Sequence, residues 1–97
     1  MQHELTQLVT KFISDIEKKT QVNIQSRINT DTSSMIDFSA KDHEWRLCAN
    51  KRALMLMKMP NGDDKTRVWP LASDYGLMLD PIYYAQFRSD IYQAMKL

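Results

Sequence analysis

Between Glu4 and Lys19 the apolar residues fall at Leu5, Leu8, Val9, Phe12, Ile13 and Ile16. Steps of three and four place all six on one side of a helix, so the spacing predicts a helix over this stretch. Glu4 near its start and Lys18 and Lys19 at its end suit the helix dipole. From Val22 the period drops to two. Val22, Ile24, Ser26 and Ile28 alternate with Asn23, Gln25 and Arg27, which predicts a half-buried strand over 22–28. The short polar side chains of Asn29 to Ser34 compete for backbone hydrogen bonds and predict a turn.

A second strand is predicted over 35–40, with Ile36, Phe38 and Ala40 on one side and Met35, Asp37 and Ser39 on the other. Lys41, Asp42 and His43 interrupt the alternation. A third strand over 44–49 sets Trp45, Leu47 and Ala49 against Glu44, Arg46 and Cys48. Asn50 and Lys51 read as a tight turn into a fourth strand over 52–59, where Leu54, Leu56 and Lys58 alternate with Met55, Met57 and Met59. Pro60 to Asp64 contains Asn61-Gly62, a pair suited to the positive φ angles of a hairpin loop. A fifth strand over 65–69 then ends at Pro70, which cannot donate to a ladder. Residues 71–79, with Leu77, Met78 and Leu79, read equally as a short edge strand or as an apolar plug under the last helix. Asp80-Pro81 is an N-cap and first-turn pair, and Ile82, Tyr84, Phe87, Ile91, Ala94 and Met95 mark the helix that follows.

The predicted fold class is therefore α+β in the order α-β-β-β-β-β-α. Short connections between successive strands favour an antiparallel meander with the N- and C-terminal helices packed on one face. Val22, Ile24, Ile28, Ile36, Phe38, Trp45, Leu47, Leu54 and Leu56 would then face the helices. Asn23, Gln25, Arg27, Met35, Asp37, Arg46, Cys48, Met55, Met57 and Met59 would face outward, joined from the fifth strand either by Lys65, Arg67 and Trp69 or by Thr66 and Val68.

Ninety-seven residues suit one domain, 1–97. Thirteen Lys and Arg balance twelve Asp and Glu to a net charge of +1, so no polyanion-binding tail or acidic mimic is implied. The single Cys48 cannot form an internal disulfide. Neither a membrane-length apolar run nor the basic-then-apolar layout of a secretory signal is present, and the expected location is cytoplasmic.

Seven methionines are the compositional surplus. Methionine is flexible and polarizable, so a contiguous patch of it repacks around differently shaped partners. The leading functional expectation is a non-enzymatic module that binds another protein, or a second copy of itself, through Met35, Met55, Met57 and Met59 with Trp69 and Tyr83 beside them. Size and composition are those of bacterial or phage accessory proteins that adapt or inhibit a larger machine. The bland reading is that residues 71–79 fold back and bury these methionines as gap filler.

A single-stranded nucleic-acid track along Arg27, Arg46, Lys65 and Arg67 is the alternative. Against it, Asp37, Glu44, Asp63 and Asp64 are interleaved with those cations. A minimal metal-dependent nuclease built on Asp37, Glu44 and Arg46 is a weaker third, because arginine stands where such sites favour lysine. His43 and Cys48 point to opposite faces of one strand and make no dyad. Two histidines and one cysteine without metal-ligand spacing indicate no metal site, and two glycines cannot build a phosphate-cradling loop. No cofactor, small-molecule substrate or catalytic residue is expected.

Overall fold

The first helix forms where the apolar stripe predicts it. In the computed structural model, which describes residues 2–59, 67–70 and 81–97, α1 spans Gln2–Glu17. All six stripe residues are buried, and each contributes about 1.5–3 kcal/mol through removal from water. Lys18 and Lys19 fall just beyond the last helical residue. Their amides, with that of Thr20, donate to the carbonyls of Asp15 and Ile16 and so close the helix end.

Five strands follow: β1 (Asn23–Asn29), β2 (Ser33–Ala40), β3 (His43–Asn50), β4 (Ala53–Met59) and β5 (Arg67–Pro70). Each pairs antiparallel with the next, in the spatial order β1-β2-β3-β4-β5. Helix α2 (Pro81–Met95) closes the chain order. The fold is the predicted α+β meander with both helices on one face. The loop read at Pro60–Asp64, the cation Lys65 and the segment 71–79 lie outside the described residues.

Turn chemistry sets the strand junctions. Between β1 and β2, Thr30 Oγ1 accepts from the amides of Thr32 and Ser33, while Thr30 N–H donates to the Ser33 carbonyl at 2.9 Å. Between β3 and β4, Asn50 Oδ1 accepts from the amides of Arg52 and Ala53 at 2.8 and 2.9 Å, the expected turn. Lys41 and Asp42, which interrupt the alternation, are a two-residue turn between the paired residues Ala40 and His43, at φ 53° and 62°. Both left-handed positions are held by residues that carry a Cβ, each at a cost of about 1–2 kcal/mol. Glycine relieves that clash but loses more chain entropy on folding. Asp42→Gly is accordingly expected to raise stability by about 0.5–1 kcal/mol, seen as a higher urea midpoint at unchanged slope. A lower midpoint would show that Asp42 adopts this conformation without strain.

The core lies between the helices and one face of the sheet. Ile36, Phe38 and Ala40 of β2, Trp45, Leu47 and Ala49 of β3, and Leu54 and Leu56 of β4 are buried in one cluster with the α1 stripe and with Tyr84, Ile91 and Met95 of α2. The Trp45 indole N–H donates to the Ala40 carbonyl at 3.0 Å, so this large ring is buried without a lost hydrogen bond. Among the described residues no helix is long and apolar enough to cross a membrane.

Strand β1 departs from expectation in two respects. First, it is not core: all seven residues are exposed, Ile24 at 39% and Ile28 at 47%. Helix α1 packs on β2 and β3. A helix about 10 Å across covers roughly two strands spaced about 4.8 Å apart, so the edge strand stays uncovered and α1 touches it at its end, where Thr6 Oγ1 donates to Asn29 Oδ1 at 3.5 Å. Second, the register shifts between Ile24 and Ser26: Ile24 pairs with Phe38, but Ser26 pairs with Asp37 and Arg27 with Ile36. Gln25 is the extra residue of a β-bulge, and a bulge reverses the parity of everything after it. Ile28, expected toward the helices, therefore stands opposite Met35 on the outer face. Arg27, expected outward, stands opposite Ile36 on the helix side. Val22, also expected as core, precedes the strand and is only partly buried against the cluster.

Candidate interaction surface

The outer face of the sheet is ordered into rows by direct cross-strand pairing. One row runs Ile28, Met35, Cys48 and Met55, each residue opposite the next. A second runs Ser26, Asp37, Arg46 and Met57, and a third Asn23, Ser39, Glu44 and Met59. The first is apolar from β4 to the free edge. Met35, Cys48, Met55, Met57 and Met59 are half-buried and Ile28 is exposed. Four methionines singled out from the alternation thus share one face, as predicted. What the alternation missed is Ile28, which extends the row to the outer edge of β1.

The middle row is polar from β1 to β3 and internally satisfied there, and ends in Met57 on β4. Arg46 Nε donates to Asp37 Oδ1 at 2.7 Å and Nη2 to Oδ2 at 3.0 Å, a two-pronged pair with matched planar geometry. Ser26 Oγ also donates to Asp37 Oδ2, at 3.3 Å. The Arg46 guanidinium, with the Ser26 hydroxyl, holds the Asp37 carboxyl below its ordinary range despite its partial burial. Burial pushes the Cys48 thiol up against the pull of Arg46, so the neutral thiol is favoured and behaves as a small apolar group in the row.

The other sequence candidates are placed as follows. Asp37, Glu44 and Arg46 share the outer face as expected, but both Asp37 oxygens are engaged by Arg46. Among the described residues no three His, Cys, Asp or Glu side chains are grouped to hold a metal ion. Of the four cations considered for a nucleic-acid track, Arg27 and Arg46 stand on opposite faces and Lys65 lies outside the described residues. Arg67 is in register with Leu56, Val68 with Met55 and Trp69 with Leu54, so the pairing selects the Val68 alternative for the outward register of β5. Trp69 therefore does not share the register positions of the methionines. Tyr83 falls on the first turn of α2.

A site that sequence reasoning did not find lies between the helices. Asp15 of α1 is only 6% exposed. Its carboxyl accepts a hydrogen bond from the Tyr84 hydroxyl and another, at 3.2 Å, from Lys18 Nζ, with Arg88 Nη1 at 4.0 Å. The Asp15 carbonyl accepts from the Tyr92 hydroxyl at 2.9 Å. The Tyr84 ring stacks on Phe12 with centroids 4.6 Å apart, and Lys11 Nζ lies 4.1 Å over it. Burial pushes the Tyr84 hydroxyl far up, and the Asp15 carboxylate pushes it further. Burial would also raise the Asp15 carboxyl, but the hydrogen bonds from Tyr84 and Lys18 and the charges of Lys18 and Arg88 outweigh it, and the net shift is downward. An available signal was Asp15 itself, three residues after Phe12 and seven after Leu8, a charge on the edge of the apolar stripe. The network ties α2 to α1 and lies on the far side of the sheet from the methionine rows.

A shallow groove of about 360 Å³ opens elsewhere, where the α1–β1 connection meets the β2–β3 turn, lined by Thr20, Asn23, Ser39, Lys41 and Asp42 among others. No protein-family model, curated protein or solved structure matches the chain.

Proposed function

We propose that the protein is a non-enzymatic interaction module that binds another protein through the outer face of its sheet. The observation that carries this is the cross-strand apolar row Ile28, Met35, Cys48 and Met55, flanked by Met57 and Met59, on the side of the sheet away from the helices. A soluble sheet with one helical layer ordinarily turns polar residues to its other side, and a contiguous apolar row there marks an interface. The Asp37–Arg46 pair beside it is fixed by two hydrogen bonds. It supplies a rigid polar border that orients a partner rather than a mobile charge that must be reordered.

The test is capture on the immobilised protein from an extract of the cells that produce it, with light scattering of the purified chain alongside. Met55→Glu with Met57→Glu is expected to remove at least roughly nine-tenths of the captured partner, since two charges placed at the centre of an apolar contact are each costly to desolvate. The double variant should keep the wild-type circular dichroism. Unfolding of the variant would show this face to be core, and undiminished capture would move the interface elsewhere. A dimer by light scattering that the same substitutions dissociate would identify the partner as a second copy.

A further inference from the structure

The edge strand β1 has the properties of a strand acceptor. Among the described residues it ends the sheet and pairs on one side only, with β2. All seven residues, Asn-Ile-Gln-Ser-Arg-Ile-Asn, are exposed, and they include no proline and a single charge. A row of backbone donors and acceptors without a ladder partner is a template for an added strand. We propose that β1 receives an extended segment of a partner protein as a sixth strand, and that the segment carries an acidic residue next to an apolar one. This names the kind of partner for the outer face and rests on that reading, because Ile28 is the outer end of the apolar row.

The partner's chemistry follows from what β1 presents after the bulge. Arg27 stands on the helix side, beyond α1, and among the described residues no carboxylate lies within ion-pair distance of it. Ile28, the next residue, stands on the outer face at 47% exposure. Neighbouring residues of an added strand alternate faces in the same way. One of its side chains then meets Arg27 and the adjacent one meets Ile28, which calls for an acidic group beside an apolar group.

A second copy of β1 fits poorly. Two-fold pairing centred on Arg27 sets two guanidinium groups opposite each other. Centring on Ser26 sets Ile24 against Ile28, which the bulge has placed on opposite faces. Centring on Ile28 leaves only residues 27–29 of each strand in a ladder before the strand ends. Bulges and inward charges are devices that protect edges from indiscriminate pairing. At β1 the same devices select for an acidic strand.

The test is an NMR titration of the 15N-labelled protein with two blocked seven-residue peptides, one alternating valine with glutamate and one alternating valine with lysine. The glutamate peptide is expected to shift and protect the amides of 23–29 and to bind at least roughly tenfold more tightly than the lysine peptide. Arg27→Glu should reverse that order. The Met55→Glu, Met57→Glu variant should still take the glutamate peptide on β1, so failure of the methionine face and failure of the edge are read separately. Shifts elsewhere but not in β1, equal affinity for the two peptides, or an unreversed order in Arg27→Glu would each overturn the proposal.

Discussion

Replacing Tyr84 with alanine is expected to lower stability by about 3–5 kcal/mol, a large share of the roughly 5–15 kcal/mol that holds a small domain folded. Two losses combine. The ring that stacks on Phe12 at 4.6 Å disappears and leaves a cavity between the helices. The Asp15 carboxyl loses its hydroxyl donor while remaining buried, and an under-satisfied buried acceptor costs more than a hydrogen bond contributes. Tyr84→Phe separates them: the ring stays, and the expected loss falls to about 1–3 kcal/mol. Urea midpoints at constant slope read both values. A phenylalanine variant as stable as the wild type would mean that the Tyr84–Asp15 hydrogen bond contributes nothing net.

The same network sets an acid limit. The folded pKa of Asp15 is depressed below its ordinary 3.8. Its contribution is therefore complete well above that value and is lost as pH falls through the folded pKa. Asp37, depressed by Arg46, acts in the same direction. Thermal midpoints should fall on acidification below about pH 4, and Asp15→Asn, which removes one titrating group, should flatten that fall while lowering the midpoint at neutral pH. An equally steep acid limb in Asp15→Asn would assign it to other carboxylates.

The second large effect is a contrast between neighbours. Leu56→Glu is expected to cost more than about 4 kcal/mol, and Met57→Glu less than about 1.5 kcal/mol, although the two positions adjoin in β4. Leu56 is fully buried against the helices, so a carboxyl there must be desolvated or forced neutral. Met57 is half-buried on the outer face opposite Arg46, where a carboxylate keeps water and gains a cation. Circular dichroism and urea denaturation of the two single variants decide the matter. A Met57→Glu chain as unstable as Leu56→Glu would show that both faces of the sheet are core.

Where local periodicity and tertiary packing act together, the elements were legible. The 3.6-residue stripe of α1 and the alternation through β2, β3 and β4 each correspond to a buried face, and the short connections dictated antiparallel neighbours. The methionine face follows from the same alternation. Strand β1 was misread because its parity holds only up to Gln25. Nothing local in Asn-Ile-Gln-Ser-Arg-Ile-Asn marks a bulge, which is set by how this strand meets β2. The turn at Lys41-Asp42 was also obscured, since its left-handed positions are held without glycine.

The order and antiparallel neighbours of the elements, the core faces of α1, β2, β3 and β4 and the outward placement of Met35, Met55, Met57 and Met59 were thus decided by the residue pattern, because a period of two leaves a strand only two faces to choose between. Which residues meet across strands was decided by the tertiary structure. The bulge at Gln25 exchanged Arg27 and Ile28 between faces and carried the apolar row to the free edge. The limited width of α1 left β1 exposed. The approach of α2 to α1 joined Asp15 to Tyr84 across 69 positions of chain. Each of these depends on contacts distant in sequence, where no periodicity reaches.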